Sequence, residues 1–111
     1  MTRGALVFAL GLLASSCGPE PVDLDLRGRV SDAATGQPVA RVPVNLIWSG
    51  SAFDVRSIGT ESGPDGRYLL HISDFECDAP SLYAGVAPYE LQSKDVRCTD
   101  EAQVIDFELA R

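Results

Sequence analysis

The 111-residue chain predicts an all-β fold, a seven-stranded antiparallel Greek-key β-sandwich, on three observations. Apolar and polar residues alternate over short runs. Turn-forming clusters of Gly, Pro and Asp separate those runs at near-regular spacing. After Cys17 no window of helical length carries a 3.6-residue apolar period. A chain of this length buries one core at most.

The strands are taken in order. From Asp23 onward, Leu24, Leu26, Gly28 and Val30 fall on one face, and Asp25, Arg27 and Arg29 on the other. Residues 31–38 hold the turn formers, with Gly36 free to take a positive φ and Pro38 ending any local ladder. Val42, Val44, Leu46 and Trp48 then alternate inward against Pro43, Asn45 and Ile47. Pro43 has no N–H to donate, so this strand is expected to begin at a sheet edge or a bulge. Residues 49–55 form a loop around Phe53, and residues 56–62 a weaker strand with Ile58 and Thr60 on one side. Gly63-Pro64-Asp65-Gly66 is a tight turn followed by alternating Tyr68, Leu70 and Ile72, so residues 56–73 read as a hairpin. Residues 81–87 and 89–95 are two further short strands separated at Pro88. Residues 104–109 close the sandwich with Ile105, Phe107 and Leu109 inward and Asp106 and Glu108 outward.

The N-terminus is of another kind. Met1, Thr2 and Arg3 form a positive start, and residues 5–14 are an apolar run ending at Ser15 and Ser16. The run is shorter than the roughly 20 residues a membrane span needs, and it has the build of a secretory signal. The expected organisation is a signal peptide at 1–16, a tether at 17–23 and a domain at 24–111. Leu13-Ala14-Ser15-Ser16-Cys17 resembles the lipobox of bacterial lipoproteins, in which the cysteine is acylated through its sulfur and becomes the mature N-terminus. It departs from that pattern in having Ala14 where leucine is usual. Ordinary cleavage after Ser16 would give the same boundary but leave a free thiol in an oxidising compartment, and the odd count of three cysteines favours acylation of Cys17 by palmitate. Gly18 stands where an aspartate would retain the product at the inner membrane, so the resemblance implies an outer-membrane lipoprotein of the cell envelope. Gly18-Pro19-Glu20-Pro21 would be a short stiff tether.

Removing the first 16 residues takes away Arg3 and no acid, leaving eight basic side chains against 16 acidic ones. With no basic stripe to displace counterions from phosphates, nucleic acid is not expected as a partner.

Gly28-Arg29-Val30, the run from Thr35 to Ala40, Val42-Pro43-Val44, and Thr60 with Asp65-Gly66-Arg67-Tyr68 resemble the carboxypeptidase regulatory-like domain family. The likeness covers roughly residues 25–72. It implies a small prealbumin-like sandwich, of transthyretin-like or collagen-adhesin B-type topology, that mostly serves as a structural or binding appendage. Cys77 and Cys98 lie beyond the resemblance. In an exported domain these two remaining cysteines are expected to form a disulfide closing a loop around both strands between them.

No catalytic set emerges from the pattern. His71 is the one histidine, mid-strand and without an evident orienting partner. Transthyretin relatives that hydrolyse 5-hydroxyisourate use several histidines and a C-terminal Tyr-Arg-Gly-Ser, and this sequence ends Phe107-Glu108-Leu109-Ala110-Arg111, so that activity is not expected. Asp74, Glu76 and Asp78 could share one side of an extended backbone, as a calcium site would use, but lack the glycine-turned loop of a dedicated motif; a solvated loop is the expectation. Nucleophile elbows, zinc spacings and phosphate loops do not occur. Trp48, Phe53, Tyr83 and Tyr89 could build an aromatic platform, although Trp48 shares the inward parity of Val44 and Leu46. The expectation is a non-enzymatic, membrane-anchored module with a structural or protein-interaction role and no cofactor or metal. The alternative is a carbohydrate- or peptide-binding lipoprotein using loops around Phe53 and Tyr83. Its partners would be the membrane, through the lipid on Cys17, and an envelope protein or glycan.

Overall fold

Eight strands and no helix make up residues 20–49 and 55–111, the part of the chain that the computed structural model describes. They are β1 (Val22–Asp32), β2 (Pro43–Ser49), β3 (Val55–Glu61), β4 (Arg67–Phe75), β5 (Ser81–Ala84), β6 (Gln92–Asp95), β7 (Gln103–Val104) and β8 (Phe107–Leu109). The expected signal peptide, Cys17 and Phe53 lie outside the described residues. One sheet runs β4-β1-β7 with β8 also on β1, and the other runs β3-β2-β5-β6. Between them the inward residues close a core of Leu24, Leu26, Val30, Val42, Val44, Leu46, Leu82, Phe107 and Leu109, all at 0% exposure, with Tyr68, Leu70 and Phe75. The two-sheet sandwich and the parities expected for β1, β2, β4 and β8 are therefore present.

Three expectations change. The sheet built on β1 is mixed, because β7 and β8 run parallel to β1 while β4 is antiparallel. The closing strand is two strands, which makes eight rather than seven. The break falls where the C-terminal segment crosses Gly28: the Ile105 N–H donates to Arg27 O at 2.8 Å, and the Ile105 carbonyl lies where a Cβ on residue 28 would be. The Tyr68 hydroxyl donates to that carbonyl, and the Arg29 N–H donates to Asp106 Oδ1 at 2.8 Å. Gly28 is thus required by the close approach of another backbone.

The third change concerns residues 56–73, which are not a hairpin. β3 pairs with β2 and β4 with β1, so the Gly63–Gly66 turn carries the chain from one sheet to the other. Ser62 directs this exit. It is buried at 3% exposure, its hydroxyl donates to Val39 O at 2.7 Å and accepts from Val42 N–H at 2.9 Å. Arg41, with φ 60, donates to Ser62 O at 2.8 Å while Ser62 N–H donates to Val42 O at 3.0 Å. Two residues oppose one, which is a bulge, and it lies just ahead of Pro43 at the start of a central strand.

Cys77 and Cys98 are bonded, with Cα atoms 5.8 Å apart and a separation of 21 positions in sequence. The bridge spans β5 and β6, as expected.

Candidate functional site

Two concavities lie at opposite ends of β1. Near Val22, an open groove of about 790 Å³ is lined by Trp48, Ser49, Arg56 and residues 72–78. Trp48, on the inward face at the end of β2, meets the buried Phe75 ring edge-on, with centroids 4.9 Å apart and planes at 77°. Behind them Cys77 anchors the disulfide. The rim is polar: Asp74, Glu76 and Asp78 are exposed, and Arg56 comes from β3. Asp74 has φ 56 at the point where the register of β4 on β1 shifts, and its N–H donates to Asp23 Oδ1 at 2.9 Å. An aromatic floor under carboxylates and a guanidinium can offer an apolar surface and both kinds of hydrogen-bonding group to one ligand.

Among the described residues no group of three or more His, Cys, Asp and Glu side chains is placed to hold a metal ion, so Asp74, Glu76 and Asp78 do not converge.

At the far end of β1, a second concavity of about 630 Å³ is lined by residues 32–35 and 109–111. Its centre is Asp32. Oδ1 accepts the N–H groups of Ala34 at 2.8 Å and Thr35 at 3.1 Å, which folds the turn that follows β1. Oδ2 accepts the Tyr89 hydroxyl at 2.8 Å and lies 3.7 Å from Arg111 Nη2. The Tyr89 hydrogen bond above all, with those backbone donors and against some desolvation, holds the Asp32 carboxyl below its usual range. The Arg111 guanidinium lies 5.1 Å over the Tyr89 ring and donates to its hydroxyl at 3.4 Å; that contact, with the Asp32 charge, raises its already high pKa. Every oxygen of Asp32 is engaged, so the cluster works as a latch between turn, loop and C-terminal strand.

The other singled-out residues do not assemble. Tyr83 is half-buried on the outer face beside Asn45 and Ser93 in register, and Tyr89 belongs to the latch, so among the described residues Trp48, Tyr83 and Tyr89 form no common platform. His71 is exposed opposite Asp25, with Nε2 3.4 Å from Ser73 Oγ. The Asp32–Tyr89–Arg111 latch had no signal in the sequence, since its members are up to 79 residues apart.

No protein-family model matches the chain, and no curated protein matches it in sequence. Solved structures do resemble it in fold. The Bacillus anthracis TIE protein matches with a TM-score of 0.56 at 11% identity over 81% of this chain, which spans only 17% of that protein. A dioxygenase domain from a carbohydrate-binding fusion of Streptomyces sp. SirexAA-E matches with a TM-score of 0.58 at 14% identity, over 86% of this chain and 84% of that one. A variant of the shaft pilin SpaA from Lactobacillus rhamnosus GG matches with a TM-score of 0.50 at 12% identity, over 83% of this chain and 46% of that one. At these identities the likeness is one of fold alone: the chain is an all-β, two-sheet sandwich of a kind that also occurs in a pilin and in a dioxygenase domain.

Proposed function

We propose that the chain is a non-enzymatic lipoprotein module of the carboxypeptidase regulatory-like kind, anchored to the outer membrane through Cys17 and serving a structural or interaction role in the cell envelope. The observation that supports this reading is how its acidic side chains are used. Asp23, Asp100 and Asp106 each accept a backbone N–H from another part of the scaffold, Asp65 accepts that of Arg67 within its own turn, and Asp32 accepts two together with the Tyr89 hydroxyl. Carboxylates occupied in this way hold loops in place and are poor general bases.

The test is metabolic labelling with an alkyne palmitate in a bacterial host, followed by membrane fractionation. The native chain takes up label and sediments with the outer membrane, and Cys17→Ala does neither. An unlabelled native chain overturns the anchored reading.

The groove at Trp48 supports a second reading, a carbohydrate- or peptide-binding lipoprotein, because an aromatic floor with a polar rim suits a ligand that has both kinds of surface. Reproducible binding on a glycan or peptide array, lost in Trp48→Ala and kept in Tyr83→Ala, would establish it, and both arrays without hits would remove it.

A further inference from the structure

The surface holds one feature that neither reading uses, the free edge of β3. Among the described residues β3 pairs only with β2, and six of its seven residues are exposed, with Val55 at 76% and Ile58 at 41%. The direction of its hydrogen-bonding groups follows from its neighbours. Ser62 N–H donates to Val42 O, so the pairs of the same parity, Thr60 with Val44, Ile58 with Leu46 and Arg56 with Trp48, spend their backbone groups on β2. The N–H and C=O groups of Val55, Ser57, Gly59 and Glu61 therefore point away from the sheet.

This edge carries few of the devices that keep edges apart. It has no proline, no lysine and no bulge within it. Its central outward-bonding residues, Ser57 and Gly59, are too small to screen the backbone, and a side chain on residue 59 would collide with Asn45 Oδ1. The other edges differ. β4 carries Arg67, Leu69 and His71 at the corresponding positions and ends in the irregularity at Asp74, while β6 is four residues long with Lys94 and Asp95 in it.

We propose that two copies of the chain associate through β3, antiparallel about a two-fold axis at Ile58, joining their four-stranded sheets into one continuous sheet. The strand is self-complementary in this register. Ser57 faces Gly59 of the second copy and Val55 faces Glu61, and all four belong to the outward-bonding set, so each pair exchanges hydrogen bonds. Ile58 faces its own counterpart as a non-hydrogen-bonded pair, where side chains approach most closely, and Arg56 faces Thr60. No like charges lie opposite one another. A shift of one residue in the pairing sum would set outward-bonding residues against inward-bonding ones and lose the ladder.

The test uses the full chain in a Cys17→Ser background, which removes the unpaired thiol. Sedimentation over a micromolar to millimolar series gives a monomer–dimer equilibrium, and Ser57→Pro weakens it at least tenfold while leaving the urea midpoint unchanged, because the lost N–H is not one that β2 uses. Ile58→Cys oxidises to a covalent dimer, since Cα atoms across a non-hydrogen-bonded pair lie within disulfide reach. Glu61→Cys does not, because the axis places its two copies far apart. A native chain that is monomeric throughout, a Ser57→Pro dimer as tight as the native one, or equal cross-linking at residues 58 and 61 overturns the proposal. The cysteine pair decides the matter even if Ser57→Pro fails to fold.

Discussion

Replacing Gly28 and Gly36 in turn by alanine separates two physical reasons for glycine in one protein. At residue 28 the added Cβ lands on the Ile105 carbonyl, whose carbon is 2.7 Å away, with Tyr68 Cε2 at 2.9 Å. Relief requires the segment between β7 and β8 to move off β1. That weakens the Ile105 to Arg27 and Arg29 to Asp106 hydrogen bonds and the bond from the Tyr68 hydroxyl. Overpacking of this kind costs about 1–3 kcal/mol and each weakened bond about 1 kcal/mol at most, so Gly28→Ala should lose about 3 kcal/mol. At residue 36 the Cβ meets nothing within 4 Å, and only the left-handed backbone, φ +76, opposes it. That costs about 1 kcal/mol. Urea denaturation followed by the fluorescence of Trp48, the one tryptophan in the chain, measures both. A Gly28→Ala variant as stable as Gly36→Ala, or more so, refutes the close-approach argument.

Two further outcomes are expected. Opening the Cys77–Cys98 bridge, which joins positions 21 apart in sequence, should cost about 3 kcal/mol through the entropy returned to the unfolded chain, read as the drop in urea stability on reduction and in Cys77→Ser with Cys98→Ser. Asp32→Asn should destabilise the protein at neutral pH by an amount that fades in acid. The folded-state carboxyl titrates below its unfolded value of about 3.9, so its contribution is present above that value and is lost as pH falls toward the folded one. Urea midpoints from neutral pH downward should therefore converge for the two proteins, and a gap that stays constant would show that the charge is not what Tyr89 and the backbone donors stabilise.

Local pattern revealed what a strand does with its own side chains. Leu24, Leu26 and Val30, Val44 and Leu46, Tyr68 and Leu70, and Phe107 and Leu109 all face the core that alternation assigns them. Pairing between strands was another matter. The Gly63–Gly66 turn looks the same whether it joins partners in one sheet or strands in two, and the deciding residue, Ser62, acts through a buried hydroxyl bonded to residues at least 20 positions away. The parallel run of β7 and β8 beside β1 was hidden for a similar reason, since Gly28 marks a close approach without saying which backbone approaches. The groove shows the same limit: the parity of Trp48 and the alternation of Asp74, Glu76 and Asp78 were legible, but not that Asp74 turns at φ 56 to hold the rim apart.

The position of β1, between β4 and the β7–β8 segment, also orders events as the chain is made. The sheet of β2, β3, β5 and β6 is complete in sequence once residue 95 has emerged. β1 is synthesised before all of them and acquires its second neighbour last, through partners about 77 positions downstream at Asp100 and Asp106. Until then Leu26, Val30 and Asp32 have no neighbour on that side. Closing so long a loop is slow relative to forming local turns, which makes the arrival of residues 103–109 the step that turns one finished sheet and a loose pair of strands into a sandwich.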